Sequence, residues 1–578
     1  MSLPNEELTP LPPDLPPSIS PWRSGLLTAG AVCAVFVLLQ IWRPYFFLTD
    51  DNMSGVLPGL ADLGDTLRHG RIPRTTEGLY DGSYDLWRDP GSLTLLFPVH
   101  LAAMFLATSR FQFAAIDAIS LFNLLAGAVA MQACMRAFGR RFGREVPEWL
   151  AGFLAVSYVM SSYSLAIGSS WFNFLGNQAA IPVVALGLVA ARSRNGFALV
   201  TAGILYSMIG GHLAPFFFSA LFLGVFSLIL AGVAKNWQPI WRYLGGSVLA
   251  IVIVTPALIG FLSGFMGSSR NAANTTAAIV ENNLPFLASV LGATIGIGAS
   301  SFQPTLGSLA EIALPLSASA AGICFLAVLG TMAQFRKLEW TLVAMLLLVA
   351  LFLHRPDWLQ AILSGVPFFR SLRWPMRETM LFLFFAHLLV GLGWHRVPRL
   401  LRFALPPISA AAFALPLFLM PSPTFNRFAV DRKMLLDGRA RQVWDQVRAL
   451  LSPDSECRVV PLLDRDLYQA LGRQRFTSKA PHTIMGGYNY PVLFGLKSST
   501  GYTMPGFAHQ FRGHTPVLWP GYFSPTQFSA EELADPHLLF TAIRSLDPVV
   551  IHYQLGTKRA QVTFPNGLEA QPVVKAMP

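Results

Sequence analysis

The sequence predicts a polytopic α-helical membrane protein of about eleven transmembrane helices, followed by a C-terminal extracytoplasmic α/β or β-rich domain. Three observations carry this. First, 53% of the 578 residues are hydrophobic and 13% are charged, where soluble domains carry roughly 25% charged residues; mean hydropathy is +0.48. Second, apolar runs of about 20 residues, the length that crosses the hydrocarbon core, recur between residues 25 and 420. Third, Lys and Arg concentrate in alternate loops, as the positive-inside bias requires. That bias accounts for the formal charge of +11 without a nucleic-acid partner.

Residues 1–24 are Pro-rich and polar, and read as a disordered cytoplasmic N-terminus. They lack the basic n-region and small-residue cleavage site of a signal peptide, so the first apolar run, 25–48, is expected to be a retained span. Further spans are expected at 113–135, 149–167, 172–191, 196–212, 213–233, 243–265, 312–334, 338–354, 378–395 and 403–420. The segment 93–108 is apolar but short, and it contains Pro98 and His100. If it crossed, the basic loop of Arg136, Arg140, Arg141 and Arg144 would face outward and every later loop would invert. Lying in the interface or re-entering, it leaves the pattern coherent. Arg23, the 136–144 cluster, Arg192, Arg194, Lys235, Arg242, Arg336, Lys337, Arg396, Arg399 and Arg402 then face the cytoplasm, and the turns around Gly168 and Gly211 carry no Lys or Arg. The N-terminus is inside and the C-terminus outside.

Three long loops, 49–112, 266–311 and 355–377, then share the outer face with the soluble domain 421–578. In that domain, 430–451 has the apolar spacing of an amphipathic helix, while 457–463 and 547–555 read as strands. Cys33, Cys134 and Cys324 fall inside apolar runs and Cys457 stands alone, which gives neither a disulfide framework nor a CxxC metal site.

Two constellations bear chemistry. Asp50 and Asp51 stand at the mouth of the first span. A carboxylate there acts as a general base on an acceptor hydroxyl or holds a divalent cation; the structural alternative is a cap on the helix that begins near Asn52. The second is PFFRSLRWPMRE, 367–378, where Arg370, Arg373 and Arg377 share one face if the segment is helical. Three outward arginines break the charge bias, and a bound phosphate would compensate, since the planar guanidinium donates two hydrogen bonds to it; snorkelling to headgroups is the alternative. Arg355 opens the same loop and joins the cluster. His69, Tyr80, Asp81, Tyr84 and Trp87 in the first loop are candidate sugar or acceptor contacts, and Trp171 is a further aromatic that either stacks on a sugar or belongs to an interfacial belt. No HExxH, Walker or Rossmann pattern occurs. Gly210-Gly211 reads as helix packing.

The order of these motifs resembles a known family. An acidic pair after span one, then VLPGL, LRHGRIP, YDGSYDLWRDP and LLFPVHL, and far later FRSLRWPMRETMLFLFFAHLLVGLG, is similar to the YfhO-like bacterial membrane proteins and, more broadly, to the GT-C glycosyltransferases. The likeness covers the first outer loop and residues 367–393; between them only hydropathy matches, and the family's Gly-Gly is here Asp81-Gly82-Ser83. The resemblance implies a bacterial inner-membrane transferase that takes sugar from a polyprenyl-phosphate donor to an envelope glycan, lipid or protein acceptor on the non-cytoplasmic face. It places the family's first-loop acid on Asp51, with Asp50 beside it, and the phosphate-binding motif on Arg370, Arg373 and Arg377. The resemblance fixes no cofactor, and a divalent cation, Mg or Mn, on Asp50 and Asp51 stays open. A transporter or flippase for a lipid-linked glycan, and a non-catalytic envelope-glycan assembly factor, are the competing expectations.

Overall fold

The computed structural model describes residues 21–49, 51–75, 78–82, 85–86, 97–266, 321–366 and 379–419. In the C-terminal region it describes 436, 438, 441, 444–445, 457–463, 489–501, 512–513, 523, 525–546, 549–564 and 573–576. The loop 266–311 beyond Met266, the arginine motif 367–378 and most of the amphipathic segment 430–451 lie outside these residues.

Each of the expected apolar runs contains helix. They are α1 (Pro21–Trp42), α4 (Ala114–Arg141), α5 (Glu148–Val159) with α6 (Ser162–Ser170), α7 (Asn173–Val189), α8 (Ser193–Ile209), α9 (Leu213–Ala234), α10 (Gln238–Met266), α11 (Gly322–Leu329), α12 (Lys337–His354), α14 (Thr379–Gly393) and α15 (Arg399–Leu419). Between them lie α2 (Leu57–Arg68), α3 (Pro98–Ala107) and α13 (Asp357–Ser364). Among the described residues five helices are long and apolar enough to cross a membrane, or six if α12 and α13, bent by 77°, form one span. On length and composition the eleven expected spans are therefore met by five or six. The rest are helical but shorter, broken or less apolar. The run 149–167, for instance, breaks where the Ser161 side chain accepts the Ser164 N–H and starts a new helix.

In the ambiguous segment 93–108 the described residues form α3, ten residues long. That is about 15 Å, half the hydrocarbon thickness. It packs between α2 and α4. Gly64 makes this close approach possible, because a Cβ there would stand 2.2 Å from the Met104 carbonyl oxygen. At Gly176 of α7 a Cβ would stand 2.1 Å from the Gly210 carbonyl oxygen, so the diglycine at 210–211 is a close-packing device.

Two acids organise one end of the bundle. Glu148 accepts from Ser24 Oγ at 2.7 Å and pairs with Arg136 at 2.8 Å, tying α1, α4 and α5. Buried Glu339 pairs with Arg396 at 2.6 Å and Arg144 at 3.5 Å, tying α12 to the ends of α14 and α4. The basic loops at 136–144 and 394–396 thus share an end. Trp22, Trp149, Trp237, Trp241 and Trp340, each at or just before the start of a helix at this end, are exposed. Exposed tryptophans at one level are the aromatic belt of a membrane–water interface.

The C-terminal region forms a six-stranded sheet in the order β2-β1-β3-β4-β5-β6, with β1 (Arg458–Leu463), β2 (Lys497–Ser498), β3 (Leu538–Leu546), β4 (Val549–Leu555), β5 (Lys558–Phe564) and β6 (Val573–Ala576). The first three strands pair in parallel and the last four antiparallel. Successive side chains alternate between faces. Val460, Leu538 and Phe540 join Phe523 and Phe528 in a small core, while Val459 and Leu539 pack into the large core continuous with the helical bundle. Both faces are covered, which is why CRVVPLL is apolar without alternation.

Cys457, buried beside β1, has its thiol pushed up to about 12, first by burial and then by the Asp535 carboxylate. The thiol therefore stays protonated at pH 8, and the thiolate is the reactive form. Iodoacetamide at that pH should leave Cys457 unmodified in the folded protein and modify it after denaturation, read by peptide mass spectrometry; labelling of the native protein at the denatured rate would contradict this burial.

Candidate active site around Asp51

At the opposite end of the bundle, the chain leaving α1 is stitched to the turn between α6 and α7. Thr49 Oγ1 donates to the Ser169 carbonyl at 2.7 Å. Asn52, fully buried, places its Nδ2 against the carbonyls of Phe47, Gly168 and Ser169 at 2.9, 2.8 and 2.9 Å, and its Oδ1 accepts the Phe172 N–H at 3.1 Å. The backbone then winds as a π-helix over Asn52–Val56 before α2 begins. Such widened turns recur at functional sites because they re-aim a side chain.

Asp51 sits at the head of this π-helix and makes no side-chain cap hydrogen bond. Its Oδ2 instead accepts the Trp171 indole N–H at 2.7 Å. Asp51 is of intermediate exposure, and this bond fixes the direction of its carboxylate. Trp171 is itself buried and stands beside Phe174, whose ring lies 4.9 Å from that of His212. The alternatives of sugar platform and interfacial belt for Trp171 both give way to an internal role, since a buried indole N–H needs an acceptor and finds this one.

Arg355 lies at the same end of the bundle, immediately after α12. It is almost completely buried, its guanidinium stacks 5.3 Å above the Phe218 ring of α9, and its backbone is left-handed at φ 46°. A non-glycine residue in that region costs on the order of 1–3 kcal/mol and is retained where the surroundings hold it. Pro356 follows, which forces the chain out of α12. The end of the bundle that holds Asp51 thus also holds a buried cation.

The other candidates separate. Tyr80 is buried, and its hydroxyl donates to the Gly501 carbonyl at 2.6 Å, 421 residues away. It is a strut to the C-terminal domain rather than an open stacking face. The same interface has Ser498 N–H on the Gly78 carbonyl at 2.7 Å and Asn489 Nδ2 on the Gly55 carbonyl at 3.1 Å. Asp62 receives the Gly78 N–H at 2.8 Å and shapes this docking loop. His69 follows α2 in an exposed position, with Nδ1 2.8 Å from the Asp65 carbonyl. Asp81 belongs to the short turn Tyr80–Gly82. Asp50, Tyr84, Trp87, Arg370, Arg373 and Arg377 lie outside the described residues. Among the described residues no group of three or more His, Cys, Asp or Glu side chains converges as a metal site would require.

Asn52 is the residue that sequence reasoning passed over as a site residue, and Trp171 was noted only as a stacking or belt aromatic, not as the partner of Asp51. Asn52 directly follows the acidic pair, but the bonds from Asn52 to Gly168 and from Trp171 to Asp51 span 116 and 120 residues of chain. The fold and this site define a helical membrane protein with a structured C-terminal domain docked on its first long loop. No protein-family model matches the chain, and no curated protein matches it.

Proposed function

We propose that this protein is a GT-C-type glycosyltransferase, moving a sugar from a polyprenyl-phosphate donor to an envelope glycan, lipid or protein acceptor. In this reading it works on the non-cytoplasmic face of the bacterial inner membrane. About eleven helices cross, and the C-terminal domain is periplasmic and helps present the acceptor. The observation that supports it most is Asp51, of intermediate exposure, its carboxylate oriented by Trp171, at the bundle end that also buries the Arg355 guanidinium.

Asp51 takes the proton of the acceptor hydroxyl as that oxygen attacks the anomeric carbon. The bond from that carbon to the donor phosphate breaks with its electron pair leaving on phosphate. Arg370, Arg373, Arg377 and Arg355 stabilise this growing negative charge more in the transition state than in the ground state. A single displacement inverts the anomeric centre, and the sugar passes through oxocarbenium character as in glycosidases. Asp50 supports Asp51; Mg or Mn held by the pair is compatible with the same step.

Trp171→Phe keeps an aromatic side chain, though a smaller one, and removes the N–H, so it should lower kcat about tenfold while leaving the donor KM within a factor of two; an unchanged kcat would remove Trp171 from the positioning role. Sealed proteoliposomes loaded with radiolabelled polyprenyl-phosphate sugars and candidate acceptors separate the function classes. Label moving covalently to an acceptor supports the transferase. Label crossing the bilayer with no transfer from any donor would establish the transporter in its place.

A further inference from the structure

At the end of the bundle away from Asp51, a cavity of about 230 Å³ lies among the ends of α4, α7 and α9 and the start of α10. Arg141, Asn236, Gln238 and Arg242 line it with the backbone of 188–191. Arg242 is 4% exposed. Its Nη1 donates to the Leu188 and Ala190 carbonyls at 3.2 and 2.7 Å and its Nη2 to Gln238 Oε1 at 3.1 Å, while Nε has no acceptor. It thereby caps the end of α7, but every one of these partners is neutral. The neighbouring Arg136, Arg144 and Arg396 are matched to Glu148 and Glu339. Among the described residues neither Arg141 nor Arg242 makes an ion pair. Two guanidiniums, one of them buried, therefore face one cavity without an anion, an arrangement that costs free energy until an anion enters.

The depth of the cavity says which anion. Trp237 and Trp241, flanking it at the start of α10, are 71% and 70% exposed, as tryptophans at headgroup level are. Beyond them Leu244, Val248, Val252 and Ile259 of α10 are exposed in a column along which acyl chains can lie. Basic pockets between transmembrane helices take anionic headgroups, and the guanidinium fork matches phosphate oxygens. We propose that this cavity binds the phosphate of an anionic phospholipid, with its acyl chains along the exposed face of α10.

The test uses the full-length protein in mild detergent, incubated with phosphatidylglycerol or with phosphatidylcholine of the same chains. Retained lipid is read by native mass spectrometry. Phosphatidylglycerol should be retained at least about fivefold over phosphatidylcholine. Arg141→Gln should bring that ratio close to one without changing thermal unfolding. Arg242→Gln also removes the cap on α7, so Arg141→Gln keeps the test clean if the former fails to fold. Equal retention of the two lipids by wild type, or undiminished selectivity in Arg141→Gln, would overturn the site. Inorganic phosphate that raises the unfolding temperature as much as phosphatidylglycerol does, with no lipid selectivity, would overturn lipid as its source.

Discussion

The Asp51→Asn variant is expected to transfer sugar about a hundredfold to ten-thousandfold more slowly than wild type, with the donor KM little changed. The amide cannot take the acceptor proton, yet its oxygen can still accept the Trp171 N–H that Asp51 Oδ2 accepts at 2.7 Å. Placement of the side chain and stability of the fold should therefore survive, and the loss should appear in kcat alone. Because the Asp51 side chain makes no helix cap, the substitution removes no capping bond. Initial rates against donor concentration, paired with thermal unfolding of the same preparation, separate a lost base from a damaged fold. A rate within threefold of wild type would remove Asp51 from the chemistry.

Asn52→Leu should behave in the opposite way, with stability falling first and activity following. The substitution is close in volume but leaves the carbonyls of Phe47 and Gly168 and the Phe172 N–H without their present partner in a fully buried position, while the Ser169 carbonyl keeps its bond from Thr49. Each orphaned buried group costs about 1–3 kcal/mol. Partial relaxation leaves an expected loss on the order of 2–4 kcal/mol, read as a lower unfolding midpoint by tryptophan fluorescence in detergent. Since Asn52 joins the chain beside Asp51 to the turn that carries Trp171, the variant should also lose transfer activity. An unfolding midpoint equal to that of wild type would show that the stitching of α1 to the α6–α7 turn contributes little.

Much of the helical layer was legible because burial in lipid imposes a simple rule, long apolar runs with satisfied backbones. Pro21–Trp42 and Gln238–Met266 follow directly from it. Strands β1 and β4 lie on the two runs read as strands. The site was legible only in part. Asp51 drew notice as an acid at a span mouth, but its hydrogen-bond donor lies 120 residues away, and no local pattern encodes that. Tyr80 was noted as a candidate sugar or acceptor contact, and its bond to Gly501, 421 residues away, left no trace in the local sequence. The π-helix after Asp51 has no sequence signature, since one widened turn depends on the tertiary bonds of Asn52. Trp171 looked like belt material, and only its burial separates it from the exposed Trp22, Trp149 and Trp241.

In the proposed reaction Asp51 serves as the base in transfer from a polyprenyl-phosphate sugar. This role is tested most directly in nanodiscs, where no second compartment exists and translocation cannot be mistaken for transfer. Wild type and Asp51→Asn are incubated with anomerically defined labelled donor and an acceptor mixture, and the product is quantified and its anomeric proton read by NMR. Wild type should give an inverted product, and Asp51→Asn at least about a hundredfold less of it. Transfer undiminished in Asp51→Asn, or a product of retained configuration, would contradict the proposed reaction.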